Sequence, residues 1–328
     1  MSDPSGKLTD RKVLIFDVYG TLMDWESGLY DALQPLLDKF PSSRSWTRRE
    51  ALTAFGSVET DLQSQSPDML YADLLAKVHE VLEQRLKALS SQETSSSTVS
   101  GSTDGTATFA EAAAGTSEEG ASGTEEDLSS HKAFGDSIKN WPIFPDTSAA
   151  LHTLAGHFRL VVLSNVDRTS FQYTHGALSE GQVTLKDPTP YLYPTSKTEK
   201  YWHPQSTAAK GKSPWTLILT AQDVGCYKPA LGGFQEALDY IKTNPELLGG
   251  QLKEEEDVKD KVLVVAQSLT HDHIPAGQLG IKSVWIDRES AVTCNELPGG
   301  QKPWTWRFET LGEMASVVEK EASEQGGV

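Results

Sequence analysis

The chain has 328 residues, a mass of 35.8 kDa, a formal net charge of −17 and a pI near 4.9. This length allows a large buried core and predicts two domains. The acidic balance argues against nucleic acid or an anionic membrane as the main partner, although a local group of donors can still bind a small anionic substrate.

Cysteine usage and the start of the chain predict a cytoplasmic location. Cys226 and Cys294 are too few for a disulfide framework, which is typical of a reducing compartment. The opening residues lack the basic-then-apolar pattern of a signal peptide, and no apolar run approaches membrane-spanning length. We therefore expect a soluble intracellular protein.

The first predicted element is a buried parallel strand that ends at a carboxylate. Four apolar residues at positions 13–16 precede Asp17, and Gly20 and Thr21 then turn the chain. In open α/β sheets, ligands bind outside the carboxyl ends of the strands. Asp17 is therefore a candidate nucleophile, and the turn can offer N–H groups and a hydroxyl to an anion. The alternative is that Asp17 merely follows a core strand.

A helical block and a low-complexity segment follow. Apolar residues recur at helical spacing at positions 29–37, 52–62 and 70–89, which predicts helices inserted after the first strand. Residues of about 90–130 are dominated by Ser, Thr, Gly, Ala and Glu. Such a segment buries too little apolar surface to offset its ordering entropy. We expect a disordered insertion there that is tolerated as a surface loop.

Strand and helix patterns alternate in the remaining chain, which predicts a doubly wound α/β sheet. Asp146 or Thr147 is expected to cap the first of these helices. A second polar insertion, at about 179–213, is expected on the surface, with its aromatic residues available for a pocket rim. The predicted strands lie at 160–163, 216–219, 262–265 and 283–286, and the helices at 169–178, 231–241 and 273–279.

Polar residues also follow the later strands. Ser164 and Asn165 end the second strand, and their hydroxyl and amide can hold a carboxylate or a halide. Lys228, fixed by the following proline, can balance two carboxylates. Asp272 lies shortly after the fourth strand. The structural alternatives are that Ser164 caps a helix and that Lys228 is a solvated lysine.

These segments, in this order, resemble the four motifs of the haloacid dehalogenase (HAD) superfamily. They are Asp17–Thr21, Ser164–Asn165, Tyr227–Pro229 and residues 262–273. Tyr19 resembles the type II (L-2-)haloacid dehalogenase branch, because phosphatase branches usually carry a second aspartate there. The resemblance covers about residues 12–22, 130–170 and 215–290, with the cap helices matched only in outline.

The resemblance implies a fold, a reaction and a set of site residues. The fold is a Rossmann-like α/β core, residues 1–22 and 142–328, with an inserted helical cap domain, residues 23–141. Asp17 would displace halide from a small 2-haloacid, Lys228 would balance charge, and Asp272 would orient the water that hydrolyses the ester. No cofactor is required, and a homodimer is left open. The residues expected to bind substrate are Tyr19, Thr21, Ser164, Asn165 and Gln267.

Three alternatives stay open. A magnesium-dependent phosphatase would bind Mg²⁺ through Asp17, the Tyr19 carbonyl and Asp272, but a phenol with a pKa of about 10 is a poor general acid at neutral pH. Gln267 also replaces an acidic residue that many superfamily members carry. A hydrolase of another small electrophile would use the same residues. A binding protein that has lost its catalytic activity is the third alternative, although such a protein would be expected to lack the nucleophile or the lysine.

One feature departs from the type II branch. Characterised members carry an arginine early in the cap that contacts the substrate. Arg44, Arg48 and Arg49 lie in the corresponding region, but the residues around them do not match. The substrate contact supplied by that arginine is therefore unassigned.

Overall fold

The computed structural model describes residues 6–96, 124–181, 190–193, 200–204 and 212–326. The chain divides into a core unit, Met1–Trp25 with Lys139–Val328, and a helical unit, Glu26–Ile138. The sequence predicts the boundaries between core and cap domain between residues 22 and 23 and between residues 141 and 142. Across the described ranges, every helix is either too short or too polar to span a membrane.

The core unit is built on a six-stranded parallel sheet with the order β3-β2-β1-β4-β5-β6. All residues of β1 and β4 are buried, which accounts for their uninterrupted apolar sequences. The sheet confirms the predicted α/β, Rossmann-like class. The strands are β1 (Val13–Phe16), β2 (Arg159–Ser164), β3 (Leu217–Thr220), β4 (Val262–Ala266), β5 (Ser283–Ile286) and β6 (Trp306–Phe308).

The strand order creates a switch point beside β1. β1 lies between β2 and β4, and its last residue, Phe16, is in register with Val162 and Val265. The chain runs outward to β3 on one side and to β6 on the other. A crevice outside the carboxyl ends of β1 and β4 is therefore the expected ligand position in this topology.

The helical unit consists of helices with buried apolar stripes. Leu29 and Leu33 of the first helix, Phe55 of the second and Leu74 of the third are almost fully buried. Thr47 and Glu50 form a capping box at the start of the second helix, which satisfies the free N–H groups there. The helices are α1 (Trp25–Leu37), α2 (Arg48–Gln65), α3 (Tyr71–Ser96) and α4 (Glu125–Gly135).

Helices flank the sheet in the core unit. The apolar side of α8 (Gly232–Thr243) faces the strands. One buried cluster therefore contains Phe234, Ala237 and Ile241 of this helix together with Ile15 and Val264 of the sheet. A π-helical turn, Leu269–His273, follows β4. The helices are α5 (Thr147–Ala155), α6 (Arg168–Glu180), α7 (Ala221–Val224), α8 (Gly232–Thr243), α9 (Ile274–Gln278) and α10 (Leu311–Gly326).

The first predicted insertion needs correction at its ends. Helix α3 continues to Ser96 and α4 begins at Glu125, so helix occupies both ends of the segment predicted to be disordered at about 90–130. A capping box of Thr124 and Asp127 starts α4. The composition of the segment, on which the prediction of disorder rested, did not indicate this helix start. Residues 97–123 lie outside the described residues.

The described parts of the second insertion, 179–213, pack on the core unit. Tyr191, Tyr201 and Trp202 are only 3 %, 3 % and 6 % exposed. Trp202 forms an antiparallel bridge with Ile218 of β3. Large aromatic side chains bury enough apolar area to hold an otherwise polar segment against a sheet edge. The insertion's residues 182–189, 194–199 and 205–211 lie outside the described ranges.

The last strand predicted from the sequence, at 283–286, is not the last strand of the sheet. β6 pairs in parallel with β5 and leads into α10. Its three residues are too few to show a strand periodicity in the sequence.

Candidate active site

Three predicted site residues lie at the carboxyl ends of neighbouring strands. Asp17 follows β1, Ser164 ends β2 and Gln267 follows β4, and all three are buried. The N–H of Asp17 donates to the carbonyl of Val265 at 3.1 Å, which continues the β1–β4 pairing to the sheet edge. The parallel register therefore brings together residues that are far apart in sequence.

Lys228 connects the two predicted catalytic carboxylates. Its Nζ donates to Oδ1 of Asp17 and to Oδ1 of Asp272, both at 2.8 Å, and to the carbonyl of Leu163 at 3.1 Å. Burial alone would lower the pKa of Lys228, but the charges and hydrogen bonds of both carboxylates raise it above the usual value. The lysine is thus a buried cation and not the solvated lysine of the structural alternative.

Asp272 is a buried carboxylate with one free oxygen. Its side chain is almost inaccessible, and among the described residues its Oδ2 has no hydrogen-bond partner. Burial raises the pKa of Asp272 to about 6, with Lys228 opposing the shift and Asp17 adding to it. A carboxylate with a pKa near the working pH and an available oxygen is suited to accept a proton from water.

Thr21 fixes the other side of the Asp17 carboxylate. Its Oγ1 donates to Oδ2 of Asp17 at 2.6 Å and accepts from the backbone N–H of Gln267 at 2.8 Å. Because the Gln267 N–H can only donate, the single hydroxyl proton of Thr21 is directed at Asp17. Gly20 makes this turn possible, since its φ is +96° and a Cβ there would lie 3.0 Å from Oε1 of Gln267.

Asn165 and Tyr19 are engaged by protein groups. The side chain of Asn165 donates to the Lys228 carbonyl at 3.0 Å and accepts from the Lys228 N–H at 2.7 Å. It positions the lysine and leaves one amide N–H for a ligand. The hydroxyl of Tyr19 is 2.8 Å from Oγ1 of Thr174, and its ring contacts Trp141 edge-on. Burial raises the pKa of Tyr19 well above its usual value, so the phenol stays protonated.

The remaining predicted groups are placed as follows. Within the described residues, Oγ of Ser164 is buried without a hydrogen-bond partner. Gln267 donates from Nε2 to the Thr293 carbonyl at 3.1 Å.

The arginines considered as substrate contacts lie in the helical unit, where Arg44 donates to the Asp38 carbonyl and Arg48 pairs with Glu26. Neither contact identifies a counterpart of the substrate-binding arginine.

The donor set fits Mg²⁺ poorly. Mg²⁺ favours oxygen ligands in octahedral geometry, and one ammonium already bonds Asp17 and Asp272. The nearby side chain of Gln267 is a neutral amide whose Nε2 is used by Thr293. In the described part of the chain, no three His, Cys, Asp or Glu side chains are grouped to hold a metal ion.

Sequence reasoning missed an ion pair between the buried Arg288 and the partly buried Asp146. Arg288 follows β5 and its Nη1 donates to Oδ1 of Asp146 at 2.8 Å. Asp146 occupies the N-cap position of α5, but its side chain does not cap that helix. Asp146 therefore stands at the predicted position, but the side-chain cap expected there is missing because the carboxylate pairs with Arg288. The only sequence signal was a charged residue two positions after a buried strand.

Comparisons with known proteins rest on structure. No protein-family model and no curated protein sequence matches the chain. The L-2-haloacid dehalogenase PA0810 is similar at 18 % identity and a TM-score of 0.53, covering 94 % of this chain and 99 % of that one. The L-2-haloacid dehalogenase of Xanthobacter autotrophicus, solved with chloropropionic acid covalently bound, has 12 % identity, a TM-score of 0.52, and coverage of 94 % and 98 %.

A third similar structure is the protein YfnB of Bacillus subtilis, described as a HAD-hydrolase bound to magnesium. It has 13 % identity and a TM-score of 0.51, with coverage of 94 % of this chain and 99 % of that one. At identities this low, the structural similarity establishes the fold alone. The chain therefore has the fold shared by L-2-haloacid dehalogenases and a HAD-hydrolase.

Proposed function

We propose that this protein is a hydrolase in which Asp17 displaces halide from carbon 2 of a small 2-haloacid. The observation that carries the proposal is the bridge of Lys228 between Asp17 and Asp272 outside the carboxyl ends of β1 and β4. It unites a nucleophile, a cation and a base in one buried group. The covalently bound chloropropionic acid in a protein of the same fold supports the same reaction class.

In the first step, a carboxylate oxygen of Asp17 attacks carbon 2 of the substrate. A carbon–oxygen bond forms, the carbon–halogen bond breaks, and halide leaves with the bonding electron pair. No proton transfer is needed, because halide is a weak base. Lys228 balances the negative charge around the reacting carboxylate, and Thr21 fixes its orientation.

In the second step, water attacks Cγ of the Asp17 ester. Asp272 accepts a proton from that water, and the tetrahedral intermediate expels the alkoxide of the 2-hydroxyacid. The alkoxide takes the proton from Asp272, and Asp17 releases its remaining proton to solvent. The free Oδ2 of Asp272 and its raised pKa support this role as base.

The proposal includes recognition of the substrate carboxylate without a cofactor. The unpartnered Oγ of Ser164 can donate to an anion, as can the second amide N–H of Asn165. Tyr19 would contribute a wall of the binding site because its hydroxyl is already paired with Thr174. The neutral Gln267, in place of an acidic residue, favours an organic anion over a metal ion.

Halide release from each enantiomer of 2-chloropropionate, without added metal, tests the reaction. We expect release from one enantiomer, abolished in Asp17→Asn and retained in Asp287→Asn, whose carboxylate pairs with Arg307. A single turnover in ¹⁸O-water should place the label in the Asp17 carboxylate before it appears in product. Label that enters the product directly would contradict an aspartyl ester.

The alternatives give different results in the same assay series. Phosphate release from phosphate esters that requires Mg²⁺, with no halide release, would replace the proposal by the phosphatase alternative. Binding of a haloacid by both the wild type and Asp17→Asn, without turnover in either, would indicate a binding protein.

A further inference from the structure

Arg288 is a buried cation that the proposed chemistry does not use. Its side chain is 5 % exposed, and Nε and Nη2 both donate to the carbonyl of Thr21, at 3.1 and 2.9 Å. A guanidinium group presents a rigid planar set of donors. Arg288 therefore donates two hydrogen bonds to one carbonyl and fixes the orientation of that peptide group.

The peptide that Arg288 holds belongs to the turn of the nucleophile. The same residue, Thr21, donates from Oγ1 to Oδ2 of Asp17. The Gln267 N–H restrains that hydroxyl from the other side. A rotation of the Thr21 peptide would move the hydroxyl and release one oxygen of the Asp17 carboxylate.

Asp146 and its neighbours fix Arg288 in turn. Oδ1 of Asp146 accepts from Arg288, and its Oδ2 accepts from the N–H of Gly312 at the start of α10, at 3.1 Å. The guanidinium lies over the ring of Phe144, 4.1 Å from its centroid. Thr147 donates from Oγ1 to the carbonyl of Leu22 at 3.0 Å, which anchors the same turn a second time.

We propose that Arg288, held by Asp146, is a positioning residue that sets the rotation of the Asp17 carboxylate for attack. The proposal deepens the function proposed above and rests on it for its kinetic consequence. Its structural consequence is independent of the substrate, because the turn should loosen without Arg288 whatever the reaction. A lysine cannot replace the arginine fully, since one ammonium cannot direct two coplanar donors at Thr21 and a third at Asp146.

Hydrogen exchange tests the structural consequence. Leu22 and Met23 donate their N–H groups to the carbonyl of Val18, so peptides covering residues 17–23 report on the turn. We expect about tenfold faster exchange there in Arg288→Ala, a smaller increase in Arg288→Lys, and no change in Arg307→Ala, which removes an exposed arginine paired with Asp287. Unchanged exchange in both Arg288 variants would overturn the proposal.

Kinetics and chemical rescue test the positioning role. Arg288→Ala should lower kcat about 100-fold and change KM less than about threefold. Millimolar guanidinium, far below denaturing concentrations, should restore at least about tenfold in kcat and reverse the faster exchange, whereas methylammonium should not. A rise in KM with unchanged kcat would overturn the proposal.

If the wild type releases no halide, the proposed function fails, and the exchange result still decides whether Arg288 holds the turn. If Arg288→Ala does not fold, Arg288→Lys supplies both readouts.

Discussion

Nζ of Lys228 lies 2.8 Å from Oδ1 of Asp272. The other oxygen of this carboxylate, Oδ2, has no hydrogen-bond partner among the described residues. The lysine therefore neutralises the carboxylate through one oxygen and leaves the other available. This arrangement allows a buried acid to be ionised and still accept a proton, which makes the pair the most informative contact of the site.

Replacement of Lys228 by methionine should abolish most of the activity. Asp17 and Asp272 would then be buried without their cation, and we expect kcat to fall by at least about 10²–10³-fold. Lys261→Met is the matched control, because Lys261 pairs with Glu256 at the surface, where solvent and salt screen such a pair. Halide-release kinetics of the two variants give the comparison. Equal activities would show that the cation is dispensable.

Ester hydrolysis should require ionised Asp272. The pKa of Asp272 is raised to about 6, so protonation removes the base as the pH falls below that value. In the ester, Asp17 has lost its charge and no longer raises the pKa of Asp272. The rate of ester hydrolysis should therefore fall only at or below about pH 6. Single-turnover rates between about pH 4 and 8 measure this pH dependence.

Asp272→Asn provides the control for that pH profile. Its first turnover should release halide and then stop, leaving an ester on Asp17 that is visible as added mass in the peptide containing Asp17. Continued turnover in this variant would assign the base to another residue.

Acidification should destabilise the core unit through His273. Nε2 of His273 donates to the Ala266 carbonyl at 3.0 Å, and Nδ1 lies 2.8 Å from Oγ of Ser283, which can donate to it when the ring is neutral. Burial lowers the pKa of His273 from 6.5 to about 4. The unfolded chain therefore binds more protons between these values, and the free energy of unfolding falls by up to about 3 kcal/mol as the pH drops through this window.

Denaturant unfolding of His273→Gln at several pH values tests this contribution. Glutamine retains an N–H for Ala266 but does not titrate, so the variant should show a shallower fall between pH 6.5 and 4. Asp272 works in the opposite direction, because its raised pKa makes the folded state bind protons below about 6. The comparison must therefore be made between His273→Gln and the wild type. An identical pH dependence in both would contradict the assignment.

Gly20→Ala should destabilise the protein, whereas Gly56→Ala should stabilise it. Gly20 has φ +96°, and an added Cβ would lie 3.0 Å from Oε1 of Gln267 and 3.1 Å from Nε1 of Trp25. We expect a loss of about 1–3 kcal/mol together with reduced activity. Gly56 lies within helix α2 with nothing within 4 Å of an added Cβ, so alanine should add about 0.5–1 kcal/mol. Thermal unfolding of both variants measures the difference, and destabilisation by Gly56→Ala would contradict it.

The sequence by itself determined the α/β class, the five predicted strands and the polar residues that follow several of them. A buried parallel strand must be apolar along its whole length, so the change to Asp17, Ser164 or Gln267 marks the point where it ends. Lys228 was found for a related reason, because two buried carboxylates need a cation and a proline fixes the turn beside it. These signals are local and can be read within about ten residues.

Only the tertiary structure decided which partners these residues have. The pairing of Arg288 with Asp146 and its hold on Thr21, the bonds of Asn165 to the Lys228 backbone, and the contact of Tyr19 with Thr174 join segments that are distant in sequence. β6 and the packing of Trp202 on β3 were likewise invisible, since three residues or one aromatic carry no periodicity. Local patterns encode how deeply a residue is buried. The strand order and register determine which buried polar groups meet, and those are properties of the whole sheet.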